Sequence, residues 1–257
     1  MASSSEIKKQ SFFKKIIKST FNLIGYEIVK KNNFFDRKSN HIAEASINEK
    51  KMLNHFRKIS LASELNLWSI YKSLIYINDN NLNGDLVECG IYNGSTLSFI
   101  GKISDELNIS KKIWGYDTFD GFIPETITKY DTDVKTGKQI VYDKDDIFFS
   151  LEQVVKNIKS NDNNFDKYTL IKGDVLKTLD DENNLPEKIS FLRLDTDIYA
   201  TTKKQLEILY PRLVSGGILH IDDYGWCPGV RKAVDEYFKD TKIWLHRIDF
   251  TCRLLIK

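Results

Sequence analysis

The sequence predicts an α/β fold built on a doubly wound, mostly parallel sheet, and three observations carry that prediction. From Asp85 onward, short apolar runs alternate with stretches of helical period; this implies right-handed β–α–β crossovers and a sheet covered on both faces. Several runs end in glycine or aspartate, at the strand edge where such sheets bind ligands. The last two runs, Lys242–His246 and Thr251–Ile256, leave no room for a helix between them and must pair as an antiparallel hairpin. A length of 257 residues, 41% of them hydrophobic, suits one such domain of Rossmann-like type with an added arm.

Taken in order, residues 1–60 read as an N-terminal arm with helices and residues 61–257 as the core domain. Residues Glu6 to Lys31 mix lysines with Phe12, Phe13, Ile16, Ile17, Phe21 and Ile24 at partly helical spacing. That face fits either a membrane surface or packing on protein, the arm's own domain or a partner subunit. The polar stretch Asn32–Asn40 is a connector, and Leu61–Ile77 is an apolar helix. The strands follow at Leu86–Cys89, Ile113–Tyr116, Tyr168–Ile171, Ile189–Leu194 and Ile218–Ile221. Helices are expected at Ser95–Leu107, Ile147–Lys159, Ala200–Leu213 and Val230–Phe238. Thr118–Asp146 has no strong period and is expected to be a loop over the active face.

Composition excludes several classes. The 38 Lys and Arg nearly cancel the 36 Asp and Glu, a formal charge of +2, which argues against a nucleic-acid partner. Cys89, Cys227 and Cys252 are distant and odd in number, so neither a disulfide framework nor a zinc pattern is expected, and a reducing, cytoplasmic compartment is the simplest reading. No apolar run approaches the ~20 residues that span a bilayer, and Lys14, Lys15 and Lys18 interrupt any secretory core, so no stable membrane insertion is expected.

The first core strand runs into Glu88-Cys89-Gly90-Ile91-Tyr92-Asn93-Gly94-Ser95-Thr96. Gly90 allows a tight turn and close approach to a ligand, and Gly94 opens a helix whose amides can receive a carboxylate. The second strand ends at Asp117, where nucleoside-binding sheets hold ribose hydroxyls. Asp174, at the end of the third, lies where an adenine edge could be read. The close glycine pair and third glycine of a dinucleotide fingerprint are absent, so no pyrophosphate cradle is apparent. This favours S-adenosylmethionine over NAD, although Tyr199 and Lys203 form a Tyr-x-x-x-Lys of the short-chain dehydrogenase kind.

The fourth strand ends in Asp195-Thr196-Asp197 and the fifth in Asp222-Asp223-Tyr224-Gly225. Neighbouring strands are about 4.8 Å apart, so these acids converge. Uncompensated carboxylates at one point repel each other, and a hard divalent cation, Mg²⁺ or Ca²⁺, relieves the repulsion. Capping and turn acids facing water are the plainer alternative. Asp195-x-Asp197 also fits a metal-dependent glycosyltransferase, which would leave the glycine loop and Asp117 unexplained. His220 and Cys227 are poor ligand candidates; His220 lies inside a strand and reads as a core histidine.

Together the stretches Gly84–Gly90, Tyr116–Gly121, Leu194–Tyr199, Leu209–Leu213 with Gly216-Gly217, and Asp222–Gly225 resemble the macrocin O-methyltransferase family, over roughly Leu61 to Phe238. The resemblance implies a class I methyltransferase fold and an S-adenosylmethionine- and Mg²⁺-dependent O-methyltransferase acting on a sugar hydroxyl. It implies that Glu88, Gly90, Tyr92, Asn93, Gly94, Ser95, Asp117, Thr118, Asp174 and Asp195 bind the cofactor, and that Asp195, Asp222 and Asp223 hold the metal. Related catechol-type enzymes place a lysine base three residues after the first metal acid. Here that residue is Ile198, which leaves Asp195 as the candidate to take the proton. The family's N-terminal arm serves oligomer contacts, so a homo-oligomer is implied. The acceptor stays open between a sugar on a natural product and a nucleotide-activated sugar for a surface polysaccharide. A non-catalytic module of the same fold is the remaining alternative.

Overall fold

A computed structural model describes residues 42–140 and 148–257. The basic, apolar arm of residues 6–31, the connector after it, and residues 141–147 of the long loop lie outside the described part. The chain divides into two units, Met1–Glu44 and Ala45–Lys257; the account below concerns the second.

Helix α1, Ile47–Ile59, opens on a capping box in which Ser46 and Glu49 satisfy each other's backbone amides. Helix α2, Glu64–Asp79, is capped by Ser63, whose hydroxyl accepts from the Asn66 amide at 3.1 Å. The core then alternates. Strand β1 is Asp85–Cys89, α3 Ser95–Glu106, β2 Ile113–Asp117, α4 Leu151–Asn161, β3 Tyr168–Lys172 and the short α5 Val175–Thr178. Strand β4 is Ile189–Leu194, α6 Tyr199–Ile208, β5 Leu213–Ile221, α7 Pro228–Tyr237, β6 His246–Arg247 and β7 Arg253–Ile256. Among the described residues these strands form one seven-stranded sheet in the order β3-β2-β1-β4-β5-β7-β6. The first five are parallel, and β7 runs antiparallel between β5 and β6. The expected mostly parallel sheet with a terminal hairpin is therefore present.

Boundaries differ from the expected ones where local chemistry overrides period. Helix α4 starts at Leu151 rather than Ile147, because Ser150 and Gln153 form a capping box there. Helix α6 stops at Ile208, ahead of Pro211 in a 3₁₀ turn, and β5 begins at Leu213 instead of Ile218. The run Lys242–His246 contributes only its last residue to β6. The long loop also has structure of its own: the Ile140 amide donates to the Asp131 carbonyl at 2.8 Å, and Thr132 and Gln139 form an antiparallel bridge.

Leu86, Val87, Cys89, Phe191, Leu192, Leu219 and Ile221 are fully enclosed on these strands, each apolar side chain contributing about 1.5–3 kcal/mol through burial. Register is what positions the site. Cys89 pairs with Tyr116 on one side and Leu194 on the other, and Leu194 pairs with Ile221. The strands end flush, so Gly90, Asp117, Asp195 and Asp222 emerge side by side. Strand order reverses between β1 and β4, the switch point where open α/β sheets form a ligand crevice.

Candidate active site

The loop after β1 is held by its own neighbours. Gly90 has φ +79°, and a Cβ there would lie 1.8 Å from the Asp195 carbonyl oxygen. Its freedom thus lets the β1 loop press against the end of β4. The Ile91 and Tyr92 amides both donate to Asp117 Oδ2, at 2.8 and 3.0 Å, and the Phe119 amide donates to Oδ1 at 2.8 Å. Asp117 therefore ties the glycine loop to the tip of β2. Gly94, at φ +80°, leaves room for Val154 and Ile158 of α4.

Asn93 Nδ2 and Ser95 Oγ both donate to the Ile59 carbonyl, at 2.7 and 3.0 Å, so these side chains anchor the end of α1. Thr118 Oγ1 donates to the Gly121 carbonyl at 2.6 Å. Asp174 caps α5 through the Leu176 amide, beside the Gly173 amide that donates to the Asp117 carbonyl. The structure thus gathers Gly90, Tyr92, Asp117 and Asp195 at one edge, the carboxylate of Asp117 being shared with three backbone amides, while Asn93, Ser95, Thr118 and Asp174 use their side chains within the protein and Glu88 is fully buried against Arg193.

The acids are not uncompensated, as the sequence reading had them. Arg193, 2% exposed, donates from Nη1 to Glu88 Oε1 at 2.6 Å and to Asp195 Oδ2 at 2.5 Å, and from Nη2 to Asp222 Oδ2 at 2.5 Å. Register explains the set: Glu88, Arg193 and His220 are paired neighbours on β1, β4 and β5 and form a polar row across the sheet. Helix α2 covers that row. Asn66 Nδ2 donates to Asp222 Oδ2 at 2.9 Å, and Ser69 Oγ lies 2.9 Å from His220 Nε2. His220 is fully buried and pulled down to about 3, by burial and then by Arg193; it is a neutral, satisfied core histidine.

One arginine does not balance five acids. Burial raises Glu88 to about 8 and Asp197 to about 6, and pushes Asp195 and Asp223 well above the usual carboxylate range, with neighbouring acids adding to it. Asp222 moves the other way: burial alone would raise it, but Arg193 and its other partners hold it low. Asp195, Asp222 and Asp223 each bring a carboxylate oxygen within 4.8 Å of the others, and Asp197, Asp223 and Cys227 form an adjoining group at the same spacing. Oxygen donors, excess negative charge and this convergence fit a hard divalent cation at Asp195, Asp222 and Asp223. The bent glycine loop beside Asp117 fits a nucleoside cofactor without a pyrophosphate.

Backbone strain marks the same edge. Among the described residues Tyr92, Phe119, Asp197 and Asp223 take φ of 49°, 53°, 63° and 58°. Left-handed backbone is costly for aromatic residues and persists where surrounding structure over-determines it, commonly at functional sites. Sequence reasoning passed over Arg193, Asn66 and Asp131. The signal for Arg193 was an arginine inside the apolar run Phe191-Leu192-Arg193-Leu194, which a buried strand carries only with paired acids.

The sequence model of the family described as Macrocin-O-methyltransferase (TylF) matches residues 10–256. Demethyldecarbamoylnovobiocin O-methyltransferase of Streptomyces niveus is 30% identical over 161 residues, 62% of this chain and 59% of that protein. Mycinamicin III 3''-O-methyltransferase of Micromonospora griseorubida is 30% identical over 161 residues, 60% of each chain. The matched stretch thus spans about three fifths of each relative's length. Among solved structures, that of the O-methyltransferase NovP superposes with a TM-score of 0.66 at 25% identity, covering 77% of this chain and 81% of that one. The calicheamicin methyltransferase CalS11, at 18% identity and a TM-score of 0.59, covers 86% of this chain and 98% of its own, and shares the fold. With a family match over nearly its whole length and that family's fold, this chain belongs to the macrocin O-methyltransferase family.

Proposed function

We propose that this protein transfers a methyl group from S-adenosylmethionine to a sugar hydroxyl, with Mg²⁺ held by Asp195, Asp222 and Asp223. The observation that carries the reading is the convergence of three carboxylates within 4.8 Å at a strand edge adjoining the glycine loop. The bound sulfonium supplies an electrophilic methyl, and the bound cation lowers the pKa of an acceptor hydroxyl. The chain's own residues do the rest. Gly90, Tyr92 and Asp117 shape the cofactor crevice, and the strand tips orient the acceptor against it. Asp195 is engaged by Arg193, whereas no ion pair engages Asp197 among the described residues. Asp197, next to Asp223 on a left-handed turn, is therefore better placed than Asp195 to take the hydroxyl proton.

The acceptor class follows from relatives whose names specify sugar positions: the mycinamicin III enzyme, and a 4'-O-methyltransferase acting on a rhamnosyl tetracenomycin in Streptomyces olivaceus, 30% identical over 162 residues. A sugar on a natural product and a nucleotide-activated sugar for a surface polysaccharide share that chemistry. In this reading residues 61–257 carry the catalysis and residues 1–60 the arm and its helices, serving contacts between subunits in the cytoplasm. Among the described residues no helix is long and apolar enough to cross a membrane.

The test is mass spectrometry of nucleotide-sugars and glycosylated natural products incubated with enzyme, S-adenosylmethionine and Mg²⁺. Gain of one methyl group supports the reading; no product from any acceptor, together with no calorimetric binding of S-adenosylhomocysteine, overturns it. Asp117→Ala removes the acceptor of three backbone amides as well as the ribose contact. S-adenosylhomocysteine affinity is expected to fall by about 2–3 kcal/mol, on the order of 30- to 150-fold. Unchanged affinity removes Asp117 from the site.

A further inference from the structure

Helices α6 and α7 begin immediately after the acid-bearing connections, and neither supplies its own side-chain cap. Ile198 precedes α6 and Cys227 precedes α7, and neither side chain bonds the amides that follow. An N-terminal turn in that state leaves donors unsatisfied. The partner comes from the long loop. Asp131, 1% exposed, accepts from the Tyr199 amide, the first of α6, through Oδ1 at 2.7 Å. The same oxygen abuts the first turn of α7: a Cβ on Gly229 would lie 2.0 Å from it. Gly229 thus gives the carboxylate room between two helix N-termini, where the dipoles of both favour a negative charge. Its other oxygen accepts from the Thr128 amide at 2.7 Å and the Thr128 hydroxyl at 2.8 Å, and its own carbonyl closes the loop hairpin at Ile140.

We propose that Asp131 is a positioning residue that caps α6 in trans, packs its carboxylate against the start of α7, and so fixes residues 128–140 of the loop as the acceptor-side wall over Asp195–Asp197 and Asp222–Asp223. The proposal rests on the methyltransferase reading in one respect, that these connections bear the acids of the site. Two contacts extend the docking surface without contributing to the cap. The Tyr130 and Tyr199 rings lie 4.8 Å apart, and Lys135 sits over the Trp226 ring at 5.4 Å. A loop so held keeps its exposed lysines, Lys135 and Lys138, on an ordered hairpin.

The test uses the full chain and probes already at hand. In Asp131→Ala, trypsin is expected to cut after Lys135 and Lys138 about tenfold faster, because cleavage follows the open population that the lost charge-assisted bonds had suppressed. Mn²⁺ affinity, read by electron paramagnetic resonance, falls by about tenfold as the acid connections loosen, while calorimetric S-adenosylhomocysteine affinity stays within about threefold, since the hydrogen bonds of Asp131 go to Thr128, Ile140 and Tyr199 and none of these lies on β1 or β2. Asp131→Asn keeps an oxygen for the Tyr199 amide but loses the charge and turns an NH2 towards the Thr128 amide, so it is expected to recover only part of both losses. Should Asp131→Ala fail to fold, Thr128→Val removes one donor to the carboxylate and shifts both readouts the same way, by about threefold. Loop cleavage at the wild-type rate, or cofactor affinity falling in step with Mn²⁺ affinity, overturns the proposal. A wild-type protein that binds neither probe overturns the methyltransferase reading instead, and the trypsin comparison still decides the role of Asp131.

Discussion

Asp223→Asn is expected to lower methyl-transfer turnover by about 100-fold or more while leaving S-adenosylhomocysteine affinity within a few-fold of the wild type. Asp223 is the carboxylate shared by both acidic groups, Asp195–Asp222–Asp223 and Asp197–Asp223–Cys227. The cofactor crevice is built from a different set: Gly90 against β4, and Asp117 on the amides of Ile91 and Tyr92. Loss of one charge from the cation site removes stabilisation felt at the acceptor hydroxyl, several kcal/mol of it, with each 1.36 kcal/mol worth about a factor of ten in rate. Chelator should reproduce the variant's behaviour in the wild type, and added Mn²⁺ should reverse it. The split between turnover and cofactor affinity is the diagnostic. Full turnover in excess chelator removes the metal assignment and leaves these acids to hydrogen bonding and proton transfer, with the methyl transfer itself unaffected. A parallel loss of cofactor affinity shows instead that the acids support the crevice.

How much of this was legible follows from where each residue's partners lie in the chain. The strands, the terminal hairpin and the flush edge could be read because period, glycine and aspartate are local signals. The capping boxes at Ser46–Glu49 and Ser150–Gln153 are equally local, and the second corrects the start of α4 by four residues. Strand order places the acids of the fourth and fifth strand ends near one point, the family resemblance singles out Asp195, Asp222 and Asp223 among them, and the structure does bring those three together. What sequence could not supply was the far side of each contact. Arg193 is 105 residues from Glu88 and 29 from Asp222, and only register sets the three on one face. Asn93 and Ser95 sit within the glycine loop, yet their side chains bond Ile59, more than thirty residues earlier. Asp131 lies 68 residues from Tyr199, in a stretch with no period at all. The Asp195-x-Asp197 pair also fits a glycosyltransferase when read alone; family membership over residues 10–256 is what favours the methyltransferase reading.

The second large effect concerns the arginine. Arg193→Leu should destabilise the fold by about 3–5 kcal/mol, because it strands Glu88, Asp195 and Asp222 without their shared cation. For a domain of this size that is on the order of 10 °C in Tm. A leucine there would face the polar row of Glu88, His220 and Asp222, so the loss reports acids left without their shared donor. Glu88→Gln added to Arg193→Leu should recover part of the loss, since it removes the most enclosed of the three carboxyl groups.

Glu88→Gln alone carries a sign in pH. The folded carboxyl sits at about 8 against an ordinary 4.5, raised by burial more than Arg193 lowers it. Between those values the folded state binds the extra proton, so the Glu88 contribution to stability is lost as pH rises from about 4.5 to about 8. His220 works oppositely: its folded value near 3 lies below its ordinary 6.5, so its penalty grows as pH falls through that lower window. Between pH 6.5 and 8 the histidine is neutral in the folded state and becomes neutral in the unfolded one, and it contributes equally to both proteins compared. There the wild type should lose stability relative to Glu88→Gln with rising pH, by at most about 1.4 kcal/mol per unit. Parallel Tm profiles for the two proteins across that window would mean Glu88 is already ionised against Arg193. The arginine would then serve Glu88 first and the cation-site acids second, and Arg193→Leu would owe its cost to β1 rather than to the site.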